Sequence, residues 1–114
     1  MVRSIMQVFE NHMGALSRGD VAALLADYAD DAVLMAIDRV YNGKAEILAF
    51  FTGMYAAIPN MVLEGTGIQV HGDTVLVSWK GDCDTLTFPA GNDTIIIRDD
   101  KIRLQTVCFT AVPK

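Results

Sequence analysis

Apolar residues recur at helical spacing in the first half of the chain and at alternating or consecutive positions in the second. Ile5, Val8, Phe9, His12 and Leu16 follow i, i+3, i+4 spacing, which predicts a helix from about Ser4 to Arg18 with all five on one face. Gly19 stops that helix, because glycine accepts the left-handed backbone of a helix end. Asp20 caps a short second helix reaching Tyr28, whose centre, Val21 to Ala26, is apolar all round and therefore buried. Asp30 and Asp31 mark a turn before a short strand, Ala32 to Ile37. Asn42-Gly43 opens a third helix over roughly Lys44 to Ile58, striped by Ile47, Phe50, Phe51, Met54, Tyr55 and Ile58 and ended by Pro59.

Four strands follow. They run Met61 to Val70, Thr74 to about Leu86, Asp93 to Arg98 and Lys101 to Val112. The turns between them are His71-Gly72-Asp73, Pro89-Ala90-Gly91-Asn92 and Asp99-Asp100, so the strands form an antiparallel meander. Helices first and strands afterwards make an α+β fold, not alternating βαβ units. Val75-Leu76-Val77 and Ile95-Ile96-Ile97 are apolar at consecutive positions, so both faces of the sheet are covered over part of their area. Helices cover one face. The other is expected to meet a second subunit in a homodimer, the alternative being a monomer with a partly exposed apolar face.

At 114 residues the chain suits one domain spanning 1–114. No apolar run approaches the roughly 18 residues that span a bilayer, and MVRSIMQVFENHMGAL lacks a signal-peptide core, so a cytoplasmic location is expected. The net charge of -5 and the scattered Lys and Arg argue against nucleic acid and anionic membrane as partners. Cys83 and Cys108 fall on strands separated by a third, so they are expected to be unpaired, buried thiols. With His12 and His71 they show no metal-ligand spacing, so no metal is expected. G-x-S-x-G, the phosphate loop, G-x-G-x-x-G and HExxH are all missing, and nothing calls for a cofactor.

Three strings carry a resemblance. ALSRGDVAALLADYADDAV is similar to the helix end, Gly-Asp junction and acidic turn of the nuclear transport factor 2-like superfamily. YNGKAEILAFF resembles its Gly-x-x-x-Ile-x-x-Phe-Phe helix, and NDTIIIRDDKI its strand ending in Asp-Gly-Lys-Ile. The subgroup most similar is that of SnoaL-like polyketide cyclases and ketosteroid isomerases. The resemblance implies a curved antiparallel sheet wrapped around three helices as a cone-shaped α+β barrel, enclosing one apolar pocket. It does not choose a function, because the superfamily holds isomerases, cyclases, dehydratases, epoxide hydrolases and non-enzymatic binders.

Polar residues on apolar faces are the candidates for chemistry. His12 is either a core histidine satisfied by a backbone carbonyl or a tyrosine, or a donor to a ligand oxygen. The resemblance puts it where ketosteroid isomerases place a tyrosine. Asp93 shares a strand face with Ile95 and Ile97. It is either solvated after a turn or a carboxyl whose pKa rises by burial; by resemblance it falls where those isomerases carry a protonated aspartic acid. Their general base is an aspartate on the first strand, where this chain has Ala36. Asp38, two residues on, shares that face if the strand continues and reaches the pocket mouth. The resemblance implies which faces are inward: Leu34 and Ala36 on the first strand, Val77 and Trp79 on their strand, and Ile95 are expected to face inward. So are Gln105, Val107 and Phe109 on the last strand, with Phe51, Met54 and Tyr55 from the third helix. Tyr28 is placed to hydrogen-bond His12. An inward amide at Gln105 asks for a partner in a ligand, a water or Asp93. The expectation is a small apolar molecule as partner, with either cofactor-free proton-transfer chemistry (Asp93, His12 and Asp38) or binding alone.

Overall fold

Ser4 starts the first helix with a reciprocal cap: its hydroxyl accepts from Gln7 N at 3.1 Å, and Gln7 Oε1 accepts from Ser4 N at 2.7 Å. A computed structural model describes residues 3–114. Helix α1 spans Ile5–Arg18 and closes on Gly19 at φ 67°. Asp20 caps α2, Val21–Ala26, by accepting from Ala23 N. Helix α3 runs Gly43–Ala57, within a residue of expectation. It buries Ile47 and Phe51 against strand β1.

The strands are β1 Tyr28–Met35, β2 Val40–Asn42, β3 Val62–His71, β4 Thr74–Asp82, β5 Leu86–Arg98 and β6 Lys101–Pro113. They form one curved sheet in the order β2-β1-β6-β5-β4-β3, which stays open between its edges instead of closing into a barrel. Neighbours are antiparallel except β1 and β6, which run parallel with Leu34 opposite Gln105. The inner face packs on α1 and α3 through Val8, Phe9, Phe51, Val75, Ile95 and Ile97. Each such side chain contributes about 2 kcal/mol by leaving water.

Several sequence expectations need correction. Tyr28 opens β1 and does not end α2, because the Asp27 carbonyl leaves the helix to accept from Ile102 N at 2.7 Å on β6. Asp30 and Asp31 do not turn the chain: they are exposed within β1, where its register against β6 shifts. Strand β1 ends at Met35, short of Ile37, and the three-residue β2 is additional. Pro89 to Asn92 is not a turn but part of β5. The chain reverses earlier, at Cys83–Thr85, where Cys83 N donates to Leu86 O. Gly91 is needed for packing: a Cβ there would overlap the Trp79 indole on β4, directly across the ladder. Cys83 is buried in that reversal, not on a strand, and Cys108 is exposed on β6, so the two thiols, both free, do not form a buried pair of strand residues.

The outward face of the sheet carries a row through Leu76, Thr94, Thr106 and Met35 with no charged side chain. Leu76 and Met35 are exposed there. No helix among the described residues is long and apolar enough to cross a membrane.

Candidate functional site

Curvature of the sheet leaves a cavity of about 820 Å³ between its inner face and helices α1 and α3. Strand parity sends Val77 and Trp79 on β4, Asp93 and Ile95 on β5, and Gln105, Val107 and Phe109 on β6 into its wall. His12 on α1 and Phe51 and Met54 on α3 face them. Two aromatic groups line the space. Trp79, Phe88 and Phe109 meet with ring centroids 5.5–6.2 Å apart on the sheet. Phe50 packs edge-on to Tyr41 and Phe51 on the opposite side.

Asp93 is held from two sides. Trp79 Nε1 donates to Oδ1 at 3.0 Å and Gln105 Nε2 donates to Oδ2 at 2.9 Å. Burial pushes its carboxyl above the usual aspartate range, and the two N–H donors only partly offset that. Asp93 thus stands half-buried in the cavity wall, within strand β5 and not at the end of a turn. Behind Gln105, the Tyr28 hydroxyl donates to Oε1, so a hydrogen-bonded chain runs from buried Tyr28 through Gln105 to Asp93 at the cavity wall. Burial, with the charges of Asp93 and Asp27, raises Tyr28 well above its ordinary value and keeps it a phenol.

His12 is 1% exposed and also borders the cavity. Burial lowers it to about 4 although the Asp27 charge pulls the other way, so it is neutral at pH 7. Its Nδ1 has no hydrogen-bond partner among the described residues. Tyr28 does not supply one. The phenol ring meets the imidazole edge-to-face at 5.4 Å, and its hydroxyl is committed to Gln105.

Other expected residues fall elsewhere. Asp38 is exposed at the cavity rim, in the β1–β2 connection. Strand β1 does not continue that far, because Ala36 N turns to donate to Arg39 O at 2.9 Å. Arg39 pairs with Glu46 and lies over Tyr41, not against Asp38. Ala36 does line the wall, leaving a methyl where a carboxylate base was sought. Leu34, Tyr28 and Tyr55 lie off the cavity. Leu34 and Tyr28 are packed into the core, and Tyr55 donates to Leu16 O at 2.7 Å between α3 and α1. Phe88 was hidden by the apparent turn that follows it, and Met61 and Leu63 by their place at the start of an exposed edge strand. Their only signal is apolar character.

No group of three His, Cys, Asp or Glu side chains assembled for a metal occurs among the described residues. No lysine or arginine among them lines the cavity.

Residues 9–105 match the family model of the SnoaL-like domain. No curated protein matches the sequence. Among solved structures, a candidate polyketide cyclase from Sinorhizobium meliloti superposes with a TM-score of 0.80 at 24% identity, covering 93% of this chain and 100% of that one. TerC, crystallised with polyporic acid, gives 0.82 at 16% identity, covering 93% and 91%. A candidate ketosteroid isomerase from Kribbella flavida gives 0.81 at 15% identity, covering 96% and 80%.

Proposed function

The chain belongs to the SnoaL-like domain family, and on that premise we propose that its cavity binds a small, mostly apolar molecule bearing a carbonyl or hydroxyl group and moves a proton on it without a cofactor. Isomerisation, cyclisation and dehydration all share that need. The observation carrying this reading is Asp93: a carboxyl in an apolar wall, raised by burial and aimed by two fixed N–H donors. Such a group keeps its proton to higher pH than an exposed aspartate. It can then donate to a ligand oxygen as negative charge develops there. His12, neutral on the facing helix, offers a second polar group. The likeness of the fold to a candidate polyketide cyclase and a candidate ketosteroid isomerase, and to a protein co-crystallised with polyporic acid, supports small-molecule chemistry in this hollow. Ala36 argues against the classical steroid reaction, which needs a carboxylate base at that place.

Ala36 and the weakly basic His12 favour a second reading, a non-catalytic binder. Native mass spectrometry of the purified protein identifies any retained molecule, and that molecule is the starting point for an assay. With it, Asp93→Asn is expected to lower turnover by roughly 100-fold or more. Full turnover in the variant sinks the catalytic reading and leaves the binder.

A further inference from the structure

Gln105 sits between two groups of opposite demand. An ionised carboxylate accepts hydrogen bonds and donates none. Asp93 in that state therefore requires the amide nitrogen, which lies 2.9 Å from Oδ2. The amide oxygen is thereby turned to Tyr28, whose hydroxyl supplies the proton for that bond. Trp79, on the other carboxylate oxygen, has an indole N–H that donates and never accepts. Tyr28 and Gln105 are both buried, 0% and 4% exposed, so the bond between them is shielded from water, while Asp93 stands half-buried at the cavity wall.

A proton on Asp93 changes the requirement. A free amide would rotate by half a turn and accept that proton on Oε1, which satisfies the acid inside the protein. Rotation would also turn Nε2 towards Tyr28 and break the bond in which the phenol donates. We propose that Tyr28 is a positioning residue: by donating to Gln105 it locks the amide, so that Asp93 meets only N–H groups from Trp79 and Gln105 and its proton is directed to the cavity side, where a bound ligand accepts it. The inference rests on the reading that Asp93 serves a ligand in the cavity. Of the other ionisable groups nearby, His12 is on the facing helix α1, Asp38 is at the exposed rim and Tyr28 lies behind Gln105; the side chains hydrogen-bonded to Asp93 are those of Trp79 and Gln105.

The test needs no substrate. In the unliganded protein, the Asp93 carboxyl is titrated by carbon NMR while the Gln105 side-chain amide protons are followed by their contacts. In the parent protein those protons are expected to stay on the Asp93 side throughout the titration. In Tyr28→Phe the amide is released and the protonated acid gains an internal acceptor. The Asp93 pKa should rise further, by roughly one unit, the size of one hydrogen bond between the neutral acid and the amide oxygen. In that variant the amide protons should move towards residue 28 as Asp93 takes up its proton. A phenylalanine variant that folds with an unmoved Asp93 titration overturns the proposal. So does a parent protein whose Gln105 amide rotates when Asp93 is protonated, a result that stands even if the variant does not fold. Turnover enters neither measurement, so failure here is separable from failure of the proton-transfer reading.

Discussion

Two aspartates, Asp27 buried and Asp93 half-buried, each take hydrogen bonds on both carboxylate oxygens, and they are satisfied in opposite ways. Asp27, 1% exposed, receives Arg3 Nη1 at 2.8 Å and Asn11 Nδ2 at 3.1 Å on both oxygens, so a full positive charge is placed against it. Arg3 also grips Asp100 in the β5–β6 turn, tying the segment before α1 to the far end of the sheet. Asp93 receives two donors that are both neutral, and it lines a cavity that no lysine or arginine among the described residues lines. A counter-charge makes a buried carboxylate a structural tie. Neutral donors around an open side leave its proton available for chemistry. The comparison separates a fastening from a candidate reactive group more sharply than burial does.

The largest effect is expected on the fastening. Arg3→Ala leaves Asp27 buried without its cation, and urea unfolding should show a loss of about 3 kcal/mol; an unchanged midpoint would mean that Asn11 alone satisfies Asp27. A pH effect of comparable size comes from His12, which lies near Asp27. The unfolded chain protonates this histidine near 6.5, whereas the folded state resists until about 4. Its contribution is complete above 6.5 and drains away as pH falls towards 4, reaching about 3 kcal/mol. Unfolding curves measured at pH 7 and 4.5 should differ far more for the parent protein than for His12→Leu. The smallest effect is expected at the candidate reactive group. Asp93→Asn removes a charge that the fold penalises and keeps one acceptor oxygen, so the two changes oppose each other. Stability at pH 7 should move by no more than about 1 kcal/mol. A loss as large as that of Arg3→Ala would place Asp93 among the structural ties.

Much of this architecture is legible from local chemistry. The Ser4 and Asp20 caps, Gly19, the α3 stripe and the Asp99-Asp100 reversal, both residues at positive φ, are read from a few neighbouring residues each. Parity groups Trp79 with Val77, Asp93 with Ile95 and Gln105 with Val107, each pair on its own strand; the family resemblance makes these the inward faces, where the structure has them. What escapes local reading is set by distant partners. The Pro89–Asn92 string has the composition of a turn, yet its glycine answers to an indole on the next strand. Tyr28 ends an apolar helical run, yet backbone pairing between Asp27 and Ile102 draws it into the sheet. Nothing near Arg3 announces Asp27, and nothing near Phe88 announces Phe109.

The parallel seam between β1 and β6 has a consequence for how the molecule is made. Leu34 must wait for Gln105, and Tyr28 for Ile102, each more than 70 positions later in synthesis. A growing chain on the ribosome holds helices and a first strand whose hydrogen-bonding edge stays unclaimed until the last strand emerges. Completion of the sheet is thus a late, long-range and slow event. Until then Met35 and its neighbours offer a sticky edge, and this is the stage at which a chaperone or an aggregate would take hold of the chain.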